Sequence, residues 1–328
     1  MKTYLITGVM KDIPYFLDES MEFGIQRIED TQIGEKKIYP GDHINYEINC
    51  KLVGLYDLFR DILFEDVAEY YNELASMPVW IQQAGQDSDC NMSAELFSEC
   101  ILKSDIPNLY RHLYLVDCQF LIGTVQNLLC AMEDAFISYY VRLSSFSIDN
   151  QLKELENLNG TMMLSSEDAI QTSAYIETYF TKAYSVLDVL CKICYEIQHI
   201  QAKFESYQKT KSKDILWGAR KKLIINEIEN TIFEKCELIS YIEAIRNEIV
   251  HNGTWELKPK IFVRFKEGKE QERFLLFPDM NQGHLSTVIN RRHFFSSYTK
   301  TNDLLLQIHR EFKERLLNTI DVIMKMYR

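Results

Sequence analysis

The chain has 328 residues, of which 46% are hydrophobic, and it contains only 12 glycines and 6 prolines. That composition supplies a sizeable core and excludes a low-complexity or largely disordered protein. The formal net charge of −12 argues against nonspecific nucleic-acid binding by the molecule as a whole. Because no secretory segment opens the chain, its eight cysteines are interpreted as reduced thiols in a cytoplasmic protein.

The charge is distributed unevenly along the chain. Residues 1–150 hold 10 basic and 24 acidic residues, a balance of −14, and residues 151–200 hold 3 and 7, a balance of −4. Residues 201–328 hold 23 basic and 17 acidic residues, a balance of +6. We therefore expect a polyanionic partner to approach only the C-terminal part.

The first part of the chain is expected to contain both strands and helices. Residues 1–50 carry strand and turn signals, with TYLITGVM rich in strand formers and PGD at residues 40–42 a turn before HINYEI. The apolar spacing becomes helical over residues 52–77. Residues 78–92 are polar and predicted to form a loop.

A long apolar helix is predicted over residues 105–144, since Pro107 is acceptable in a first helical turn. Its central part, residues 113–132, is the nearest approach to a membrane span in the sequence. That part also holds polar residues that would be costly in hydrocarbon, namely Asp117, Gln119, Gln126 and Asn127. A buried helix without membrane contact is therefore expected.

Residues 145–166 are polar and irregular, and we place a domain boundary there. This divides the chain into an acidic N-terminal α+β domain at residues 1–150, of unassigned role, and a helical domain at residues 151–328. Ser165 and Ser166, followed by two acidic residues, are a capping signal for a long helix over residues 167–207.

The C-terminal domain is predicted to be a helical bundle. Helices are expected over residues 215–229, 232–252 and 302–327, and the segments KIFVRFK and ERFLLF, which flank EGKEQ, predict a β-hairpin. Short connections between long helices favour antiparallel packing. The predicted fold class is mainly α: a C-terminal antiparallel helical bundle with a small β-hairpin, preceded by an α+β N-terminal part.

The stretch LISYIEAIRNEIVHNG, residues 238–253, carries the polar groups of greatest chemical interest. Its apolar residues recur at the spacing of an amphipathic helix, and Gly253 can close the last turn. The end of this helix carries Arg246, Asn247 and His251. They supply a permanently charged fork of donors, an amide, and an imidazole, the side-chain type whose charge changes near neutral pH.

The hexapeptide from Arg246 to His251 resembles the R-x4-6-H motif of the HEPN superfamily, in which a polar residue commonly follows the arginine. The resemblance covers roughly residues 150–328 and implies a compact helical bundle that usually acts as a dimer. Many members are metal-independent ribonucleases of toxin–antitoxin, phage-defence and RNA-processing systems. The resemblance thus implies an endoribonuclease with RNA as substrate, no cofactor or metal, a homodimeric state, and an antitoxin or regulatory protein as a further partner.

Under this interpretation Arg246, Asn247 and His251 are catalytic. The RNA supplies the 2′-hydroxyl nucleophile, and the resemblance implies cleavage to a 2′,3′-cyclic phosphate. His251 acts as general acid or base, Arg246 binds nonbridging oxygens, and Asn247 orients His251 or binds phosphate. His251 lies about 140° around the helix from Arg246 and ~7.5 Å further along it. Because one phosphate cannot easily meet both groups, two chains are expected to build one site.

Alternatives to this interpretation remain open at this point. A short motif of this kind is expected by chance about once in a chain with this many arginines and histidines. Arg246 would then belong to a surface ion pair, with His251 near the negative end of the helix dipole. A noncatalytic HEPN-like module that binds a protein, RNA or nucleotide is the second functional candidate.

The remaining clusters carry weaker signals. Candidate RNA-binding residues are Arg220, Lys221, Lys222, Arg291 and Arg292, and a solvated face is the alternative for both clusters. Cys191 and Cys194 have CxxC spacing but lie in an apolar helical stretch, so core packing is favoured over zinc or redox chemistry. No metal site is predicted.

Overall fold

The computed structural model describes residues 2–4, 10–12, 25–29, 36–40, 43–145, 158–201 and 203–327. The protein is mainly helical, as predicted, with 61% helix and 9% strand. The α-helices are α1 (His43–Leu63), α2 (Val67–Ser76), α3 (Trp80–Gln83), α4 (Ala94–Lys103), α5 (Leu109–Ser145), α6 (Glu167–Gln198), α7 (Glu237–Asn252) and α8 (Thr301–Tyr327).

The strands of the described residues pair in small antiparallel sheets. They are β1 (Lys2–Tyr4), β2 (Met10–Asp12), β3 (Ile25–Glu29), β4 (Lys36–Pro40), β5 (Gly160–Leu164), β6 (Ile261–Lys266), β7 (Lys269–Phe274), β8 (Met280–Asn281) and β9 (His284–Leu285). The pairs are β1 with β2, β3 with β4, and β8 with β9, and the three-stranded sheet has the order β5-β6-β7. The predicted hairpin is confirmed as β6 and β7, but its second strand, expected at residues 272–277, lies at Lys269–Phe274. Strand β5 was not expected.

The chain divides into two compact units, each assembled from three segments. The first unit contains Met1–Ile48, Leu128–Ser185 and Ile228–Thr319. The second contains Asn49–Asn127, Val186–Glu227 and Ile320–Arg328. The predicted boundary near residue 150 falls within residues 146–157, which lie outside the described residues.

The N-terminal predictions are confirmed only in part. The strand expected at HINYEI is wrong, because these residues open α1. Ile48 stands four residues before Leu52, and both are almost completely buried, so the apolar stripe of the helix extends back through this segment. Residues 5–9 of the expected TYLITGVM strand and residues 41–42 of the expected turn lie outside the described residues.

Two helical predictions in the C-terminal part are also wrong. The helix expected to reach residue 207 ends at Gln198, and in place of a helix over residues 215–229 there is a short 3-10 helix at Trp217–Lys222. Side chains of α6 accept hydrogen bonds from the backbone of this segment. The backbone N–H of Trp217 donates to Asp188 Oδ1 at 2.7 Å, and that of Ser212 donates to Glu196 Oε1 at 2.7 Å.

The long helix α5 matches its prediction closely. By length and composition it could cross a membrane, with a mean hydropathy of 1.4 over 18 residues, a test that core helices of soluble proteins also pass. Two of its acidic side chains have partners: Glu133 accepts from Lys313 Nζ at 2.8 Å, and Asp117 accepts from Gln86 Nε2 at 3.0 Å. Of the 18-residue window, 39% is buried inside the protein, so the helix is less buried than expected.

Helices α6 and α7 run antiparallel and position the polar end of α7. Trp255, just beyond α7, donates from Nε1 to Ser173 Oγ at 2.7 Å near the start of α6. Nine residues earlier in sequence, Arg246 lies against Tyr184, which is eleven residues further along α6. The buried ring of Phe277 packs against Trp255 with centroids 6.0 Å apart and so covers the end of α7.

Candidate functional site

The C-terminal end of α7 is built as the sequence predicts. Gly253 adopts φ 88° and ψ −23°, and its N–H donates to the Ile249 carbonyl at 2.9 Å. A side chain would be strained in that left-handed conformation, which is why glycine closes the helix here. The expected apolar face is confirmed, since Leu238, Ile242 and Ile245 are buried.

Arg246 and Asn247 form one unit at this end of the helix. The Arg246 guanidinium carbon lies 4.3 Å from the centroid of the Tyr184 ring, a cation–π arrangement. Its Nη1 donates to Asn247 Oδ1 at 3.0 Å. The Asn247 oxygen therefore fixes Arg246, and the amide nitrogen of Asn247 remains at an exposed position with two donors.

His251 lies in the last turn of α7 and its side chain is exposed. Across the described ranges, no hydrogen bond or ion pair reaches its imidazole. Asn247 lies one helical turn earlier, also exposed, so both side chains project from the surface of the same part of the helix. The structure thus leaves Asn247 and His251 accessible to a ligand from solvent.

Glu248 is the unexpected member of the hexapeptide, because it is charged and only 6% exposed. Its Oε2 accepts from Arg292 Nη1 at 3.2 Å, and its Oε1 lies 3.1 Å from His293 Nε2. Arg292 and His293 belong to the segment between β9 and α8. The carboxylate therefore joins this segment to the same helix that carries Arg246 and His251.

The two basic clusters predicted as RNA-binding candidates differ in their surroundings. Arg292 is held by Glu248 with its side chain 43% exposed, and Arg291 beside it is exposed. In the second unit, the Arg220 guanidinium carbon lies 4.3 Å from the Trp217 ring centroid. Its Nη1 also donates to the Trp217 carbonyl at 2.9 Å, whereas Lys221 and Lys222 are exposed.

The CxxC pair is part of the core, as predicted. Cys191 and Cys194 are buried in α6, and all the described cysteines are free thiols. Burial raises the pKa of the Cys191 thiol to about 12 and places that of Cys194 well above its usual range. Among the residues that the structure describes, no three His, Cys, Asp or Glu side chains converge in a group that could hold a metal ion.

Comparison of the chain with models of protein families, with curated proteins and with solved structures gave no match. The site is therefore defined by its own geometry. Sequence reasoning missed Tyr184, Glu248 and His293 as members of this site. For Glu248 one signal was available. A charged side chain at an inward-facing position of α7 predicts a buried partner.

Proposed function

We propose that the protein is a metal-independent endoribonuclease of HEPN type, with a HEPN-like helical bundle in its C-terminal part. The observation that carries the proposal is the arrangement at the end of α7. Arg246 is fixed by Tyr184 and Asn247, while His251 is exposed one turn further along the helix. In cleavage of RNA by its own 2′-hydroxyl, a fixed guanidinium can stabilise the charge on the phosphate and an accessible imidazole can transfer a proton.

The chemistry assigned to each residue follows from its surroundings. Arg246 retains guanidinium donors that are not committed to Asn247 and binds the nonbridging oxygens of the scissile phosphate. The amide nitrogen of Asn247 adds a neutral donor to the same phosphate. His251 transfers a proton, and the product carries a 2′,3′-cyclic phosphate.

The proposed active species is a homodimer in the cytoplasm. His251 is turned about 140° from Arg246 on one helix and lies ~7.5 Å further along, so a phosphate reaches both groups more readily when the arginine comes from a second chain. A two-fold axis beside the end of α7 would create that arrangement twice. From the resemblance to the HEPN superfamily, we also propose a role as a toxin or in phage defence, with an antitoxin or regulatory protein as partner.

A noncatalytic HEPN-like module is the second candidate. The observation that favours it is the exposure of two large apolar side chains, Leu257 at 78% and Ile289 at 94%, which a bound protein would cover. In that case Arg246 and Asn247 stabilise the end of α7 and bind a partner without cleaving RNA.

The decisive experiment compares wild type with His251→Ala on mixed RNA in excess chelator. We expect cleavage by the wild type, 2′,3′-cyclic phosphate ends on the products, and loss of activity in the variant, with equal circular dichroism spectra. His284→Ala is the matched control, because His284 is exposed on β9 and outside the site. Inert wild type favours the binding module, and cleavage that requires added divalent metal overturns the proposed mechanism.

A further inference from the structure

Cleavage of RNA by its 2′-hydroxyl requires two proton transfers. One proton leaves the 2′-hydroxyl as its oxygen attacks phosphorus, and one is delivered to the 5′-oxygen as the bond from phosphorus to that oxygen breaks. The R-x4-6-H motif supplies one imidazole for each chain, that of His251. The structure shows a second imidazole at the same end of α7, that of His293.

Glu248 contacts His293 and is a neighbour of His251 on α7. It precedes His251 by three residues on α7, so the Cβ atoms of the two side chains are about 5–6 Å apart. The same Glu248 carboxylate lies 3.1 Å from His293 Nε2 through its Oε1. His293 is therefore brought to the end of α7 by a contact across 45 residues of sequence.

The contact also determines which nitrogen of His293 is available. A carboxylate only accepts hydrogen bonds, so the neutral imidazole carries its proton on Nε2 and its lone pair on Nδ1. In the part of the chain that the structure describes, no group bonds to Nδ1, and the side chain is 24% exposed. A buried carboxylate in this position orients the ring and stabilises the imidazolium that forms when Nδ1 takes a proton.

The segment that carries His293 is anchored on its C-terminal side by Asp279. Asp279 accepts from the backbone N–H groups of Ser296 and Ser297 at 2.7 and 2.9 Å and from their hydroxyls at 2.6 and 2.5 Å. Its own N–H donates to the Phe294 carbonyl at 2.6 Å. These bonds fix the backbone immediately after His293, and a fixed backbone holds a catalytic imidazole in position.

We propose that His293 is the general base of the reaction and that Glu248 positions it, an inference that rests on the proposed function. His293 Nδ1 takes the proton of the 2′-hydroxyl while the 2′-oxygen forms its bond to phosphorus. The imidazolium of His251 gives its proton to the 5′-oxygen as the bond from phosphorus to that oxygen breaks. Both histidines belong to the same chain, whichever chain supplies Arg246.

Arg292 completes this arrangement. Its Nη1 bonds to the second oxygen of Glu248, which leaves further guanidinium donors on a side chain that is 43% exposed. Those donors bind a phosphate oxygen beside His293. Glu248 contacts His293 directly, and Arg292 contacts Glu248. The other charged or titratable groups of these elements are His251 on α7, Arg291 on the segment of His293, and Asp279, which binds that segment at Ser296 and Ser297.

The first test uses the full chain and two variants, His293→Gln and Glu248→Gln. We expect kcat to fall about 10²–10⁴-fold in His293→Gln with little change in KM, because the lost group acts in proton transfer. In the wild type, the general base produces the part of the pH profile in which kcat rises with increasing pH. This rise should disappear in His293→Gln. His284→Gln, an exposed position on β9, is the matched control and should cleave at the wild-type rate.

A second readout does not require activity. Nitrogen-15 NMR of the neutral imidazole of His293 should show the Nε2–H tautomer in the wild type and a mixture of tautomers in Glu248→Gln. A mixture already present in the wild type would overturn the positioning role of Glu248. A merely structural Glu248 would lower stability in the variant without changing the tautomer or the pH profile.

Mixed dimers separate this inference from the proposed function. Chains with His251→Ala mixed with chains with His293→Gln should stay inactive, because neither chain keeps both histidines. Chains with His251→Ala mixed with Arg246→Ala should recover activity if the arginine comes from the other chain. If the first mixture recovers activity, or if His293→Gln is as active as an active wild type, the role of His293 is overturned but the proposed function is not. An inert wild type overturns the proposed function and the catalytic role of His293 with it.

Discussion

Replacing Glu133 by glutamine should be among the most destabilising conservative changes in the first unit. Glu133 accepts from Lys313 Nζ at 2.8 Å and lies 3.2 Å from His309 Nε2, and the Lys313 side chain is 0% exposed. Burial alone raises the pKa of Glu133, but His309 and Lys313 outweigh it and hold this pKa well below its usual range. Removing the carboxylate takes away the charged partner that the buried Lys313 ammonium has at 2.8 Å, which costs about 3–5 kcal/mol.

The assay is urea unfolding at pH 7, monitored by circular dichroism, where this cost corresponds to a midpoint lower by about 1–2 M. Asp134→Asn is the matched control, because Asp134 is the exposed neighbour of Glu133 on α5, and its free energy of unfolding should change by less than about 0.5 kcal/mol. Since the folded-state pKa is lowered, the contribution of Glu133 is complete above its ordinary pKa and is lost as the pH falls. A change below about 1 kcal/mol in Glu133→Gln would show that the ion pair does not hold α5 and α8 together.

Three further changes test other parts of the structure. Arg246→Lys should reduce cleavage at least about tenfold, because an ammonium does not reproduce the bidentate fork, and full activity would remove Arg246 from phosphate binding. Burial raises the pKa of Glu256 to about 7, so the stability contributed by its neutral form is lost as the pH rises through 7. In urea unfolding, Glu256→Gln should match the wild type at pH 5 and exceed it by ~1–3 kcal/mol at pH 9, and a constant difference would contradict the raised pKa. Gly283→Ala should cost at least ~2 kcal/mol in the same assay, since φ is +80° and the new Cβ would lie 2.2 Å from Ser240 Cβ, whereas Gly218→Ala has open space.

The elements that sequence reasoning predicted well are those with strong local signals. Helix α7 ends at Asn252 because Gly253 can adopt the left-handed conformation, and α8 follows from sustained apolar spacing. The hairpin of β6 and β7 follows from two strand-forming runs around a polar turn. Where long-range contacts compete with local propensity, the prediction failed. The segment at Trp217 forms only a short 3-10 helix, and its backbone N–H donates to Asp188 of α6.

For the candidate site, the sequence by itself determined that Arg246, Asn247 and His251 share the end of one amphipathic helix. Only the tertiary structure decided what each side chain meets. In the structure Asn247 accepts a hydrogen bond from Arg246. From the sequence, Asn247 was expected to orient His251 or to bind phosphate. Glu248 is buried in the structure and contacts His293, which is 45 residues away in the sequence. Spacing along a helix fixes which residues are neighbours on that helix, whereas contacts between distant segments depend on how the whole chain packs, and no local pattern encodes them.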